Sequence, residues 1–257
     1  MLCRPAVIGS RGIGIEEDRV RRFAAECVST LVLVVVACRV LGSGSDFAPL
    51  AIGATAALLV VIQPDAPGLG PAVAAASWIR GMLSTGQLLA TVTGQLSGAG
   101  LGALLSRLAP GPFDVGPLPP GSVVALLVEC IGVGILVHVV LRARTDRWIL
   151  AIPVGATVTM LCVVAAGLSA SLFNPSLLIG AVAMGWLTPA GALGYAAAHL
   201  CGALVGAWTA APFPLTRPPR TIGRPAAHTS SVPVPRAAGD LVGEQSPGPI
   251  PVSVPAA

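Results

Sequence analysis

The chain has 257 residues, of which 54% are hydrophobic and only 10% are charged. Its mean hydropathy of +0.84 lies far above that of an average soluble domain, which excludes an ordinary soluble enzyme and indicates an integral membrane protein. The net charge of +4 comes from arginines around the apolar segments, so it reports membrane topology and does not require a nucleic-acid partner.

Apolar segments of about 20 residues, the length that crosses a bilayer, predict six membrane spans. In chain order they cover residues 22–41, 47–63, 82–108, 122–141, 148–168 and 189–211. Two further apolar stretches, 70–79 and 174–186, are too short to span and are interpreted as re-entrant half-helices. The predicted fold class is therefore an all-α membrane protein with six transmembrane helices and two half-helices.

The two halves of the chain repeat each other. Three pairs of landmarks recur at offsets of 103 or 104 residues: Glu26 with Glu129, Pro71 with Pro175, and Gln95 with His199. Internal repeats in a membrane protein point to a transport path. Because each repeat holds an odd number of spans, we expect an inverted three-span repeat, with repeat one over 22–108 and repeat two over 122–211.

The arginines predict the orientation of the chain. Every basic residue is an arginine, and all except Arg39 and Arg107 fall on one side of the membrane if both termini are cytoplasmic. We therefore expect a multi-pass protein of the cell membrane (inner or plasma membrane). Residues 1–21 are interpreted as a cytoplasmic N-terminal tail and 22–211 as the membrane domain. The Pro-rich segment 212–257 has no apolar periodicity, which predicts a disordered cytoplasmic tail.

The two short segments begin with similar residues. Pro71 and Pro175 suit the first helical turn, where a missing N–H costs nothing, and Asn174 stands where an N-cap is expected. Two helix N-termini that meet near the bilayer centre repel cations and attract the oxygen of a neutral solute. An Asn-Pro pair alone is also an ordinary turn signal, but the repeat favours the pore.

Several short motifs extend this pattern: Ala25-Glu26, Thr30-Leu31, Gln95, Gly98-Ala99, Glu129 and Gly202-Ala203. Through them, over residues 23–211, the chain resembles the aquaporin and glycerol-facilitator family of major intrinsic proteins, as a divergent bacterial-type member. The twin Asn-Pro-Ala boxes of that family are altered here. The first reads Gly70-Pro71-Ala72 and the second reads Asn174-Pro175-Ser176.

The resemblance also implies which residues form the selectivity filter of the pore. They are Ile52 or Leu50 in the second span, Cys162 in the fifth, and Ser171 and Leu177 on either side of the second box. None is charged or aromatic. Leu177 stands where the family often carries an arginine, whose charge and donors exclude cations and orient single-file water. We therefore expect a wider, more apolar constriction with poorer water selectivity.

Two carboxylates lie inside predicted spans, where ionisable groups mark function by default. The resemblance assigns Glu26 and Glu129 to bracing the half-helix loops by accepting hydrogen bonds from loop amides. The alternative is a carboxylate near the interface that reaches water. Six cysteines are scattered without metal-ligand spacing, so we expect no metal site and no cofactor.

Glycines mark two spans for close packing. Gly98, Gly100 and Gly102 lie in the third span, and Gly202 and Gly206 in the sixth. Small residues at such spacing let helix backbones approach closely in a membrane. We expect these glycines to form tight helix contacts.

Together these patterns predict a passive channel for small neutral solutes, such as water, polyols or similar molecules, and not an enzyme. The expected partners are the permeant and the lipid bilayer, and the resemblance implies a homotetramer with one pore in each protomer. The alternative is a non-conducting protein of the same fold with a structural or assembly role, because a dry apolar neck closes by dewetting. An intramembrane enzyme that uses Glu26 or Glu129 is a more distant third hypothesis.

Overall fold

The computed structural model describes residues 10–63, 69–109, 121–143 and 146–210. All regular structure in these ranges is α-helical. The helices are α1 (Ser10–Gly42), α2 (Ala48–Ile62), α3 (Pro71–Ile79), α4 (Thr85–Leu108), α5 (Val123–Arg142), α6 (Arg147–Ala165), α7 (Pro175–Ala183) and α8 (Pro189–Thr209). Helix α1 therefore begins within the segment expected as an N-terminal tail. The expected tail over 212–257 lies outside the described residues.

Five of these helices are long and apolar enough to cross a membrane, namely α4, α5 and α8 in full, α1 from Glu16 and α6 from Trp148. The protein is thus an all-α membrane protein. Helix α2, at the place of the expected second span, has 15 residues. It is about 23 Å long, which is shorter than the other five. Helices α3 and α7 have nine residues each, too few to cross hydrocarbon.

The helices begin where the sequence supplies caps. Ser84 and Gln87 form a capping box at the start of α4, with the Gln87 amide donating to Ser84 Oγ at 3.3 Å and the Ser84 amide donating to Gln87 Oε1 at 3.0 Å. The Ser122 hydroxyl caps α5. Proline occupies the first turn of both short helices, where its fixed backbone angle and missing N–H are tolerated. These boundaries are therefore set locally.

Glycines bring the long helices into backbone contact. A Cβ at Gly98 of α4 would lie 2.1 Å from a carbonyl oxygen of α1, and one at Gly202 of α8 would lie 2.3 Å from a carbonyl oxygen of α5. Both helix pairs therefore pack closer than any side chain at these positions allows. The expectation for Gly100 is wrong, because no atom lies within 4 Å of its Cβ position. Gly94, one turn before Gly98, occupies the packed face instead.

The helix contacts have an internal regularity. α1 packs on α4 and α5 on α8, α1 also contacts α2 and α5 contacts α6, and α2 packs on α6. Each short helix contacts the long pair of the other half, so that α3 touches α5 and α8 while α7 touches α1 and α4. Helices α3 and α7 also touch each other. The two halves therefore make equivalent contacts. If α1 is exchanged with α5, α2 with α6, α3 with α7 and α4 with α8, the same set of helix contacts results.

Candidate functional site

The N-termini of α3 and α7 meet inside the bundle. Asn174 is the N-cap of α7, and its Oδ1 accepts a hydrogen bond from the Ser176 amide at 2.9 Å. The Nδ2 of the same side chain donates to the carbonyl oxygen of Leu69, just before α3, at 3.2 Å. One buried amide thus ties together the two helices that begin at Pro71 and Pro175. We call this contact the junction, defined by residues 69–72 and 174–176.

Gly70 and Asn174 share one space at the junction. Gly70 has a φ of +111°, a backbone conformation open to glycine and strained for other residues. A Cβ at this position would lie 2.3 Å from Asn174 Oδ1. The first box therefore has no room for a side chain at position 70, because the asparagine of the second box fills it. Ala72 and Ser176 are both buried in the first turns of the two helices.

A cavity of about 490 Å³ opens where α1 and α6 end and α2 begins. We call it the vestibule. Three of the expected filter residues, Ile52, Cys162 and Ser171, line it together, and Cys162 Sγ lies 3.6 Å from the carbonyl oxygen of Ser171. The alternative filter residue Leu50 is 57% exposed on α2 and does not line this cavity. The structure therefore favours Ile52 as the second-helix residue of this site.

A smaller cavity of about 30 Å³ lies between the vestibule and the junction. We call it the neck, and it has room for the centres of one or two water molecules. It is lined by Leu33, Ile52, Ala56, Leu69, Leu136, Val158, Leu172, Phe173, Asn174 and Leu177. Ile52 lines both cavities, so they adjoin at this residue. Among the described residues that line the neck, Asn174 has the one polar side chain.

Glu129 holds the loop that precedes α7. Its Oε1 accepts from the Ser169 hydroxyl at 2.9 Å and from the Leu172 amide at 3.1 Å. Its Oε2 accepts from the Phe173 amide at 2.8 Å and lies 2.9 Å from His199 Nε2. The Ser169 hydroxyl, two backbone amides and the His199 imidazole thus surround the two oxygens of one carboxylate. The bracing geometry that the resemblance implies for Glu129 is present in this loop.

The same loop carries backbone strain. Ser171 and Phe173 have φ values of +53° and +47°, in the left-handed region that residues with a Cβ rarely adopt. Such conformations persist where the surrounding contacts impose them. Here the Glu129 carboxylate holds the Phe173 amide, and the Ser169 hydroxyl accepts from the Ser171 amide at 3.0 Å. The network therefore fixes the loop that lines both cavities.

Glu26 occupies the equivalent place in the first half. It is buried, and its Oε2 accepts from Gln95 Nε2 at 2.9 Å. The loop that the sequence analysis expects Glu26 to brace includes residues 64–68, which lie outside the described residues. His199 is the donor that sequence reasoning leaves out of the site. Its offset of 104 from Gln95 is the signal that points to it.

Protein-family models and curated proteins both yield no match for this chain. Within the described ranges, no three His, Cys, Asp or Glu side chains are grouped to hold a metal ion. The candidate site therefore consists of the junction, the vestibule, the neck and the loop that lines both cavities.

Proposed function

We propose that this chain is a passive membrane channel for small neutral solutes, built on an aquaporin-like plan of six spans and two half-helices. The observation that carries the proposal is the junction, where Asn174 joins the N-termini of α3 and α7 next to the neck. Each helix N-terminus carries about half a positive charge. Two such ends beside a narrow passage disfavour cations and attract the oxygen of a neutral solute.

Two independent regularities support an inverted repeat. The landmarks Glu26 and Glu129, Gln95 and His199 recur at nearly constant offsets, and the helix contacts are unchanged when the halves are exchanged. In this plan α2 also crosses the membrane and brings the number of spans from five to six. Its counterpart in the other half is the long apolar helix α6, and the two pack together. Six crossings put both termini on the same side of the membrane, and the arginine distribution favours the cytoplasmic side.

The filter of the proposed channel is apolar. Ile52 and Leu177 line the neck, and Cys162 and Ser171 line the vestibule above it. No arginine is present at position 177 to supply donors and a fixed charge. Selectivity then depends on size and on the cost of removing water from the solute. Burying a hydroxyl or amide without a hydrogen-bond partner costs about 2–7 kcal/mol, which is enough to separate solutes that differ by one such group.

The second candidate function is a non-conducting membrane protein with a structural or assembly role. The small volume and apolar lining of the neck favour this alternative, because a dry hydrophobic constriction blocks conduction by dewetting. For either function we propose a homotetramer, as the resemblance implies, with one vestibule and one neck in each protomer.

Osmotic shock of liposomes distinguishes the two functions. The full chain is reconstituted, and vesicle volume is followed by light scattering after gradients of water and of a panel of small neutral solutes. We expect rates above those of empty vesicles for at least one solute. Rates equal to those of empty vesicles for the whole panel contradict the channel and leave the non-conducting protein.

A substitution at the place where the cavities adjoin tests the path itself. Ile52→Trp should abolish the protein-dependent rate, because Ile52 lines both the vestibule and the neck. The matched control is Ile62→Trp on the same helix, where the side chain is 58% exposed and lines neither cavity. Equal rates in the two variants would show that solute does not pass Ile52.

A further inference from the structure

The lining of the neck suggests that the number of hydrogen-bonding groups on a solute determines how easily it passes. If the proposed channel function holds, we infer that the protein admits compact solutes with an apolar body and few hydrogen-bonding groups, and excludes water, urea and triols. The polar groups near the neck are already hydrogen-bonded to one another.

The walls of the neck supply almost no partners for a polar solute. Among the described residues that line it, nine have alkyl or aryl side chains and the tenth is Asn174. The carbonyl oxygen of Leu69 accepts a hydrogen bond from Asn174. Asn174 itself is engaged at both ends, because Oδ1 accepts from Ser176 and Nδ2 donates to Leu69. The single amide at the junction therefore works as a tie between α3 and α7.

The loop between the vestibule and α7 is engaged as well. The amides of Leu172 and Phe173 and the hydroxyl of Ser169 all donate to Glu129. In the described part of this loop, the Ser171 hydroxyl is the side-chain group without a hydrogen-bond partner. Ser171 lines the vestibule before the neck begins. That hydroxyl is buried, while the vestibule is also lined by Ser45, Asp46 and Ser169. Beyond the vestibule, the described side chains that line the neck are alkyl or aryl except for Asn174.

The consequence follows from desolvation. The vestibule, at about 490 Å³, holds a solute with its water, whereas the neck, at about 30 Å³, does not. Every hydrogen-bonding group that the solute carries into the neck loses its water partner without replacement. A methyl group loses nothing and gains contact with the alkyl walls. Among solutes of equal size, the one with fewer hydrogen-bonding groups should therefore permeate faster.

Two pairs of probes isolate this property. Acetamide and urea have nearly the same shape, with a methyl group in one where the other has an amino group. Propane-1,2-diol and glycerol share three carbons and differ by one hydroxyl. In liposomes containing the full chain, after subtraction of the rate of empty vesicles, we expect acetamide to exceed urea at least tenfold. We expect the diol to exceed glycerol by a similar factor.

A hydroxyl added to the neck should weaken the preference. Val158→Thr changes a methyl group of the neck lining into a hydroxyl with nearly the same shape, and should raise the urea-to-acetamide ratio at least threefold. Val164→Thr is the matched control, because Val164 lies on the same helix, is 66% exposed and lines neither cavity. This control should leave the ratio unchanged.

The outcomes separate the inference from the proposed function. Protein-dependent flux in which urea and glycerol equal or exceed their partners overturns the inference while the channel stands. Protein-dependent flux of water but of none of the four probes also overturns the inference while the channel stands. No protein-dependent flux of water or of any of the four probes overturns both. A selective flux that Val158→Thr and Val164→Thr alter equally also overturns the inference, since the neck is then not the selective element.

Discussion

His199 Nε2 lies 2.9 Å from Glu129 Oε2, and neither side chain is reached by solvent. In the other half, Gln95 Nε2 lies at the same distance from Glu26 Oε2. Each pair joins the first long helix of its half to the last. The remaining acceptor of each donor, Nδ1 of the imidazole and Oε1 of the amide, has no partner among the described residues. The two pairs therefore use different side chains for one task, which is to donate to a buried carboxylate.

Because the two pairs are equivalent, we expect that glutamine can take the place of His199 in the second half. His199→Gln should keep the fold, because an amide at this position donates to Glu129 as Gln95 donates to Glu26. His199→Leu should destabilise the protein by roughly 1–3 kcal/mol or more, because it removes one of four donors from a buried carboxylate. Thermal unfolding in detergent, followed by tryptophan fluorescence, measures the difference. Equal midpoints for the two variants would mean that Glu129 does not need this donor.

The glycine contacts between α1 and α4 give a second prediction. Gly98→Ala should lower the yield of folded protein and its unfolding temperature, because the new Cβ would lie 2.1 Å from a backbone oxygen of α1. Gly100→Ala is the matched control on the same helix, with open space at its Cβ position. The control should be neutral or slightly stabilising, since alanine is favoured over glycine in a helix by about 1 kcal/mol. Size-exclusion profiles before and after heating compare the two, and a Gly98→Ala protein as robust as the control would contradict the close approach.

Local signals in the sequence predict the helices well. The half-helix expected over 70–79 is found at Pro71–Ile79, and the fourth span expected to end at Leu141 ends at Arg142. Capping residues and first-turn prolines act within one turn of themselves, so their effect is readable from the chain. The second half-helix ends earlier than expected, at Ala183, because Gly185 turns the chain with a φ of +75°.

Relationships between distant segments are less predictable. The sequence shows that the first box has Gly70 in place of an asparagine. It does not show that Asn174 fills the space that a side chain at position 70 would need. The choice between Leu50 and Ile52 depends on how α2 is rotated against α6, and the assignment of Gly94 in place of Gly100 depends on where α1 crosses α4. In each case the deciding contact joins residues far apart in sequence. One sequence on its own carries little signal for such contacts.

The shared space at the junction yields a third prediction. Gly70→Ala should disrupt the Asn174 tie, because its Cβ would lie 2.3 Å from Asn174 Oδ1, and any protein-dependent flux should be lost. Gly185→Ala separates this clash from backbone strain. Gly185 also has a positive φ, of +75°, but no atom lies within 4 Å of its Cβ position. That control should lose about 1 kcal/mol of stability and keep its flux. Equal loss of flux in both variants would assign the effect to the backbone alone.

The four donors around Glu129 yield the last prediction. Glu129→Gln replaces one acceptor oxygen by an NH2 group, which would face N–H donors that it cannot accept from. The loop would lose the contact that holds Phe173 at a positive φ. We expect a loss of more than 2 kcal/mol in stability and of selective flux, because an uncompensated buried donor costs about 1–3 kcal/mol. Ser169→Ala removes a single donor and should have a smaller effect, about 1 kcal/mol. Unfolding midpoints and acetamide-to-urea flux ratios rank the two variants, and an effect of Ser169→Ala as large as that of Glu129→Gln would contradict Glu129 as the centre of the network.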